Sequence, residues 1–320
     1  SRSNMAIRRI FIANRGEIAV RIIRTARALG IETVLGVSQA DRQSLGAKLA
    51  TRVVCLGPGP SRDSYLKVDT VVQAALGTGC DALHPGYGFL SENRDLAMAC
   101  EKVGIIFIGP TPANLEAVGD KLSARSHALA AGVPLVPGGN AATLAEAEAV
   151  AARIGYPLLI KAVAGGGGKG MKRVNDPAEL APQLDLAMAE AAAAFGDARV
   201  YLERFVTSGR HVEVQILSDG ETTLHAGERD CSVQRRYQKV VEEAPAPGLS
   251  PDLRAGLLQA ATAYARHIGY RSLGTVEFMV DVERAAFYFL EMNARIQVEH
   301  PVTEAITGLD LIATQIGIAE

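Results

Sequence analysis

The sequence lacks the cysteine spacing of a disulfide framework or a zinc site. Among its 320 residues there are four cysteines, and no two of them form a Cys-X-X-Cys pair. It also lacks an excess of either charge, since 33 lysines and arginines face 35 acidic residues, so nothing electrostatic indicates a nucleic-acid partner. No apolar run reaches the ~18 residues of a membrane span. These absences predict a cytoplasmic protein that binds neither nucleic acid nor membrane.

The N-terminus has no signal-peptide core. Ser1 to Asn4 read as residues added ahead of a natural start at Met5. The arginines that follow, with no acid before Glu17, are a weak feature of transit peptides. The first strand begins so early that it leaves no room for a removable leader, which favours the cytoplasmic prediction.

The first hundred residues alternate β-branched runs with helical patterns. This alternation is typical of parallel βαβ units and predicts a doubly wound parallel sheet. Gly16 stands alone where a GxGxxG fingerprint would be needed, so a dinucleotide site is not expected. The predicted strands are 9–13, 33–37, 53–56, 81–83 and 105–108.

The rest of the chain predicts two further parts. Residues 140–206 read as a compact α+β module with two alanine-rich helices and a glycine run between two strands. From residue 207 the pattern becomes one of long antiparallel strands, with one large helix near 252–268.

The densest polar pattern is Glu291-Met292-Asn293-Ala294-Arg295-Ile296-Gln297-Val298-Glu299-His300-Pro301. Polar groups alternate with apolar ones, and in an extended chain they would line one side of one ribbon. A solvated edge strand is the ordinary alternative. The preceding residues 287–290 are apolar, which argues against a solvated edge strand. The acidic residues on either side of the single Arg295 fit a site that binds a cation and an anionic substrate.

Glu277 lies on the preceding predicted strand. A hairpin would bring it beside Glu291, and two adjacent carboxylates repel unless a cation lies between them. Mg²⁺ is usually held by one or two carboxylates plus substrate phosphates. The alternative, in which one carboxylate pairs with an arginine elsewhere, stays open.

The glycine run 165–170 follows a strand that carries Lys161. Successive backbone N–H groups can cradle an anion, and with Lys121 the run becomes a candidate phosphate lid, with a mobile turn as the alternative. Two other segments are less specific: the alternation of His211, Glu213 and Gln215, and the charged stretch 228–239, which also fits a salt-bridged loop.

Five motifs closely resemble the biotin carboxylases, which are ATP-grasp enzymes of acyl-CoA, pyruvate and urea carboxylases. They are ANRGEIA (13–19), HPGYGFLSEN (84–93), KAVAGGGGKGM (161–171), ERDCS (228–232) and EMNARIQVEHPVTE (291–304). The resemblance covers essentially the whole chain from Met5. It implies an N-terminal doubly wound domain over 5–118 and an ATP-grasp domain over 119–320, with a mobile lid at about 139–206 and an antiparallel-sheet body.

The resemblance also implies residue roles. ATP contacts would come from Lys121, Lys161, Gly166, Gly167, Gly168, Glu203, Arg204, Phe205, His211 and Gln234. Mg²⁺ (or Mn²⁺) would bind Glu277, Glu291 and Asn293, the first two also facing the nucleotide. Bicarbonate would be held by Arg295, Gln297, Val298 and Lys239 and deprotonated by Glu299. The resulting carboxyphosphate would supply CO₂ to biotin.

The family further implies partners: a biotin carboxyl carrier, a carboxyltransferase and a second copy of the chain in a homodimer. Family members continue beyond residue 320 with an arginine that stabilises the biotin enolate, so the chain as given is expected to be inactive or only partly active. Two alternatives stay open: a nucleotide-binding but catalytically incomplete fragment or assembly module, and another ATP-grasp ligase of the carbamoyl-phosphate synthase type.

Overall fold

A computed structural model describes residues 7–163, 171–236 and 238–320 of the chain. The described residues form two compact units. The first unit contains 7–133, 211–279 and 289–320, and the second contains 134–210 and 280–288.

The N-terminal part of the first unit is the predicted doubly wound sheet. Its five strands have the order β3-β2-β1-β4-β5, and neighbouring strands pair in parallel. Ile10 and Ile12 pack into one core cluster and Phe11 into another, so β1 is buried on both faces by helices. The elements are β1 (Arg9–Ile12), α1 (Gly16–Ala28), β2 (Glu32–Ser38), α2 (Leu45–Leu49), β3 (Arg52–Gly57), α3 (Val68–Gly77), β4 (Ala82–His84), α4 (Arg94–Lys102), β5 (Ile106–Phe107), α5 (Pro112–Gly119) and α6 (Lys121–Ala130).

The second unit holds the predicted α+β module. Its sheet has the order β6-β9-β7-β8, and neighbouring strands pair antiparallel. The alanines of α7 let this helix lie close to the sheet, since Ala147 and Ala151 are buried beside Leu158 and Ile160. The elements are β6 (Gly138–Ala141), α7 (Leu144–Ile154), β7 (Leu158–Ala162), β8 (Lys172–Val174), α8 (Pro177–Phe195) and β9 (Val200–Arg204).

The remaining strands form the predicted antiparallel body, with the order β12-β11-β10-β13-β14. The charged stretch 228–239 is therefore mainly hairpin rather than loop. The elements are β10 (Gly209–Asp219), β11 (Thr223–Arg235), β12 (Gln238–Glu243), α9 (Pro251–His267), β13 (Arg271–Asp281), β14 (Ala286–Asn293), α10 (His300–Thr307) and α11 (Leu311–Ala319).

The one large helix predicted near 252–268 is confirmed as α9. Two short helices, α10 and α11, follow the last strand, because Pro301 favours the first turn of α10 and Asp310 caps α11. Within the described ranges no single helix is long and apolar enough to span a membrane. α10 and α11 pass that test only as a pair, by length and composition, across a 96° bend.

Candidate active site

The candidate site of the first unit lies at the hairpin of β13 and β14. Glu277 belongs to β13 and Glu291 to β14, and the two strands are neighbours in the sheet. The predicted hairpin is confirmed. The Glu277 charge also acts on Glu291, whose pKa is raised by burial first and by Glu277 second. The two carboxylates therefore lie within electrostatic reach of one another.

A cavity of about 420 Å³ brings most of the predicted site residues of this unit together. It is lined, among others, by His211, Gln234, Lys239, Glu277, Glu291, Asn293, Arg295, Gln297, Val298 and Glu299. Lys121 borders a neighbouring cavity of about 270 Å³, which Glu291 and Asn293 also line. Residues far apart in sequence thus converge on one place.

Lys239 is the electrostatic centre of the larger cavity. Its ammonium donates to Glu213 at 2.5 Å, to Glu299 at 2.7 Å and to Glu277 at 2.8 Å. Burial alone would lower the pKa of Lys239, but the three carboxylates raise it above its ordinary value. Lys239 is therefore a permanent cation.

The same contacts keep two of the acids ionised. Burial acts to raise the pKa of Glu277, yet the hydrogen bond from His211 and the charge of Lys239 hold it well below its usual range. Burial also acts to raise the pKa of Glu299, and Lys239 lowers it below the ordinary value. Glu299 is thus a carboxylate at neutral pH, which is the form that a general base requires.

Glu277 is the hub of a hydrogen-bonded network. Its Oε1 accepts from Asn293 at 2.8 Å and from Gln297 at 3.1 Å, in addition to Lys239. Its Oε2 bonds Nε2 of His211 at 2.7 Å, while the Gln234 amide bonds His211 Nδ1 at 2.8 Å. The partners of Glu277 are a lysine, a histidine and two amides, so the alternative of an arginine partner is wrong for this residue.

The donor set around Glu291 fits a hard divalent cation. Among the described residues, no donor forms a hydrogen bond to the carboxylate of Glu291, which is exposed at the cavity and within reach of the Glu277 charge. Glu291, Glu277 and the Asn293 amide offer oxygen ligands, which Mg²⁺ prefers. A tighter group, His211 with Glu213 and Glu277, has ligand atoms within 4.8 Å of one another, and the Lys239 ammonium contacts both of its carboxylates.

The prediction of one extended ribbon through residues 291–301 was wrong beyond Asn293. Strand β14 ends there, and the chain runs without regular structure to α10 at His300. Glu92 explains the change, because its carboxylate accepts from the backbone N–H of Ala294 at 2.9 Å and from Arg295 Nε at 3.1 Å. Arg295, Gln297 and Glu299 line the cavity from an irregular segment rather than from alternate strand positions.

Arg229 is a site residue to which the sequence analysis gave no role. Its guanidinium is fully buried and donates to Glu213 at 2.6 Å, to Gln215 at 2.9 Å and to Gln297 at 3.0 Å. The alternation of Glu213 and Gln215 was the available signal, but alternation alone is equally typical of ordinary amphipathic sheet. Both residues are buried and face this cation, which no local pattern reveals.

The side chains of the second unit that were predicted to contact the nucleotide contact other residues of that unit. Lys161 pairs with Glu203 at 2.7 Å. Arg204 Nε donates to the Ile154 carbonyl at 2.8 Å, and the Arg173 guanidinium lies 4.4 Å from the centre of the Phe205 ring. The predicted phosphate loop, with Gly166, Gly167 and Gly168, lies outside the described residues.

Comparison with known families gives first the class of the protein. Residues 6–115 match the family "Biotin carboxylase, N-terminal domain", and residues 120–320 match "Carbamoyl-phosphate synthase L chain, ATP binding domain". Together with the parallel sheet and the antiparallel body, these matches define an ATP-grasp protein with the N-terminal domain of a biotin carboxylase.

Individual relatives indicate the family within this class. Biotin carboxylase 2, chloroplastic, of Populus trichocarpa is 52% identical over 97% of this chain and 60% of its own length. Biotin carboxylase 1 of Bacillus subtilis is 50% identical over 98% of this chain and 70% of its own length. The chain thus spans 60 to 70% of the length of these two relatives.

A solved structure supports the same family. The biotin carboxylase domain dimer of Hydrogenobacter thermophilus 2-oxoglutarate carboxylase, in complex with MgADP, ADP and bicarbonate, superposes with a TM-score of 0.82 at 44% identity. The match covers 99% of this chain and 70% of that one. The chain belongs to the biotin carboxylase family.

Proposed function

We propose that this protein carboxylates biotin on a carrier protein in a reaction that consumes ATP and bicarbonate and requires Mg²⁺. The observation that carries the proposal is the Lys239–Glu299 pair at 2.7 Å, which shares one cavity with Arg295 and Gln297. Family membership supports it, as does the bicarbonate and MgADP complex of the Hydrogenobacter relative.

Bicarbonate is a poor nucleophile because its reactive oxygen carries a proton. In the proposed reaction Lys239 and Arg295 hold the anion by charge, and Gln297 and the backbone at Val298 orient it. Glu299 takes the proton, and the freed oxygen attacks the γ-phosphorus of ATP. ADP leaves and carboxyphosphate forms. Its breakdown releases CO₂ and phosphate, and the CO₂ bonds to a biotin nitrogen whose proton passes to the phosphate.

Mg²⁺ (or Mn²⁺) would be held by Glu277, Glu291 and Asn293 together with the nucleotide phosphates. When bound, the ion neutralises the charge that develops on the phosphates during transfer. In this proposal Lys121, Lys161, His211 and Gln234 contact ATP, as do the glycine run and the segment 203–205.

The partners proposed for the whole protein are a biotin carboxyl carrier and a carboxyltransferase. Relatives such as the methylcrotonoyl-CoA carboxylase subunit alpha of Arabidopsis thaliana support this, since 52% of the aligned residues are identical. The dimer of the Hydrogenobacter domain supports a homodimer. The cytoplasmic location stays a prediction, as does the division into domains at residue 118 with a mobile lid.

The test measures ADP release from ATP by the purified protein at the full length of its relatives, with and without bicarbonate, and carboxylation of added biotin. We expect bicarbonate to stimulate ADP release in the unaltered protein. Glu299→Gln should abolish that stimulation because the amide cannot take a proton, while Glu221→Gln, at an exposed position, should keep it.

Three outcomes separate the alternatives. Bicarbonate-independent hydrolysis in the unaltered protein, or stimulation that survives in Glu299→Gln, contradicts the proposal. MgATP binding in a calorimeter without any turnover, even in the full-length protein, supports the catalytically incomplete module. Turnover that requires ammonia, with a carbamoyl product, supports the carbamoyl-phosphate synthase type.

A further inference from the structure

Two histidines meet at the ends of two neighbouring helices in the first unit. Nδ1 of His127, on α6, and Nε2 of His267, on α9, form a hydrogen bond at 3.2 Å, and the tautomers decide which nitrogen donates. One turn earlier on both helices, the Tyr264 hydroxyl donates to the Ala124 carbonyl at 3.3 Å. The step from the Tyr264 contact to the histidine contact leads toward the C-terminus on both helices. The two helices therefore run in the same direction and end side by side.

The spacing of the two nitrogens suits a shared metal ion. A transition metal binds an imidazole nitrogen at ~2.0–2.1 Å. Two nitrogens 3.2 Å apart would then subtend about 100° at the ion, between the ~90° of square-planar and the ~109° of tetrahedral coordination. The rings are 5.3 Å apart between centroids and inclined by 57°, so they are not stacked face to face.

The surroundings also favour a cation. Each histidine lies in the last turn of its helix, where the unpaired carbonyl groups give the helix end a partial negative charge. His127 is half-buried and His267 is exposed, so an ion held there keeps open positions for water. Imidazole suits zinc, nickel and copper, whereas Mg²⁺ prefers oxygen ligands.

We propose that His127 and His267 form a two-histidine site for a divalent transition metal of the zinc, nickel and copper class. The bound ion joins the C-terminal end of α6 to that of α9. Because α6 begins at Lys121, which borders the cavity beside Glu291, the ion braces a helix whose other end adjoins the candidate active site. The site is separate from the proposed Mg²⁺ ligands.

The test uses untagged protein that has been stripped with a chelator and kept in excess Mg²⁺. Zn²⁺ is titrated in a calorimeter, and thermal unfolding is followed with and without Zn²⁺. We expect a zinc equivalent whose occupancy raises Tm by about 4 °C when free Zn²⁺ is about 100 times Kd. His127→Gln and His267→Gln should each weaken this binding at least about 10-fold and abolish the Tm shift. His225→Gln, at an exposed position on β11, is the matched control and should retain both.

A spectroscopic measurement on the unaltered protein makes the test independent of whether the variants fold. Cu²⁺ added to one equivalent should give an electron paramagnetic resonance signal with hyperfine coupling to two imidazole nitrogens. Zinc binding that is equal in the unaltered protein and both variants, or a Cu²⁺ signal without two nitrogens, would overturn the proposal.

Discussion

Arg229 and Gln297 meet inside the first unit, where the buried guanidinium donates to the side-chain carbonyl of Gln297 at 3.0 Å. The Gln297 amide nitrogen then donates to Glu277 at 3.1 Å, so both ends of this side chain have fixed partners. Arg229 therefore fixes the orientation of the Gln297 amide, with its oxygen toward Arg229 and its nitrogen toward Glu277. A residue proposed to orient bicarbonate is positioned by a cation that itself lies out of reach of solvent.

The first prediction concerns this buried cation. Arg229→Met should lower the free energy of unfolding by about 3–5 kcal/mol, because Glu213 loses one of its two buried cations and several polar groups lose their donor. Urea unfolding followed by circular dichroism measures the change. Arg62→Met is the control, since Arg62 is largely exposed and pairs loosely with Asp63, and it should change little. Equal urea midpoints for the two variants would contradict the prediction.

The second prediction concerns Lys239. Lys239→Gln should lower the rate of bicarbonate-dependent ADP release by about 100-fold or more, because the anion loses a preorganised positive charge. ADP binding, measured by calorimetry, should fall much less, since the charge acts on bicarbonate. Lys48→Gln, at an exposed position on α2, should match the unaltered protein. A Lys239→Gln protein that keeps its bicarbonate stimulation would show that this ammonium has no part in the reaction.

The third prediction concerns the metal. Glu291→Gln should raise the Mg²⁺ concentration needed for half-maximal ADP release by about 10-fold or more, because a neutral amide is a weaker ligand than a carboxylate. Titrations of Mg²⁺ at fixed ATP measure this, with Glu221→Gln as the exposed control. The metal role fails if both proteins have the same Mg²⁺ requirement.

The fourth prediction concerns pH and His84. This side chain is fully buried, its Nε2 bonds the Gln315 amide oxygen at 2.8 Å and its Nδ1 accepts from the N–H of Gly86. Burial lowers its pKa to about 4, well below the ordinary 6.5. The unfolded chain therefore binds a proton between these values that the folded chain does not. The stability contributed by neutral His84 is complete above pH 6.5 and falls by about 3 kcal/mol as the pH drops to 4.

Urea unfolding between pH 7 and pH 4.5 tests this prediction. The unaltered protein should lose stability with acid more steeply than His84→Gln, so the difference between the two should shrink as the pH falls. His225→Gln, at an exposed position, should follow the slope of the unaltered protein. Parallel slopes for the unaltered protein and His84→Gln would assign the acid sensitivity to other groups.

The local pattern of the sequence was enough for most of the fold. Strands such as β1 and β2 are short β-branched runs between helices, and several helices, such as α4 and α7, have side-chain N-caps. Hydrophobic period and residues that start or stop an element therefore predict them. The hairpin of β13 and β14 followed from two apolar runs with a short connection. These are features that neighbouring residues encode.

The site was less predictable because its decisive contacts join distant residues. Alternation predicted a continued strand after Asn293, but Glu92, some two hundred residues earlier, takes the backbone N–H of Ala294. Arg229 and Gln297 are 68 residues apart. Charge pattern alone cannot tell such a buried arginine from one on a solvated loop. The cation role of Glu277 came from its predicted hairpin with Glu291, and the roles of Lys239 and Glu299 came from the resemblance to a family. All three stay predictions until the variants are measured.

The early end of β14 has a practical consequence for mutagenesis. The arm that carries Arg295 and Glu299 is tethered by the Glu92 carboxylate rather than by ladder hydrogen bonds. A substitution of Glu92 would loosen that arm without breaking hydrogen bonds between the strands of the sheet. A screen that measures only folding or thermal stability would not detect such a variant, although the variant would have lost its activity.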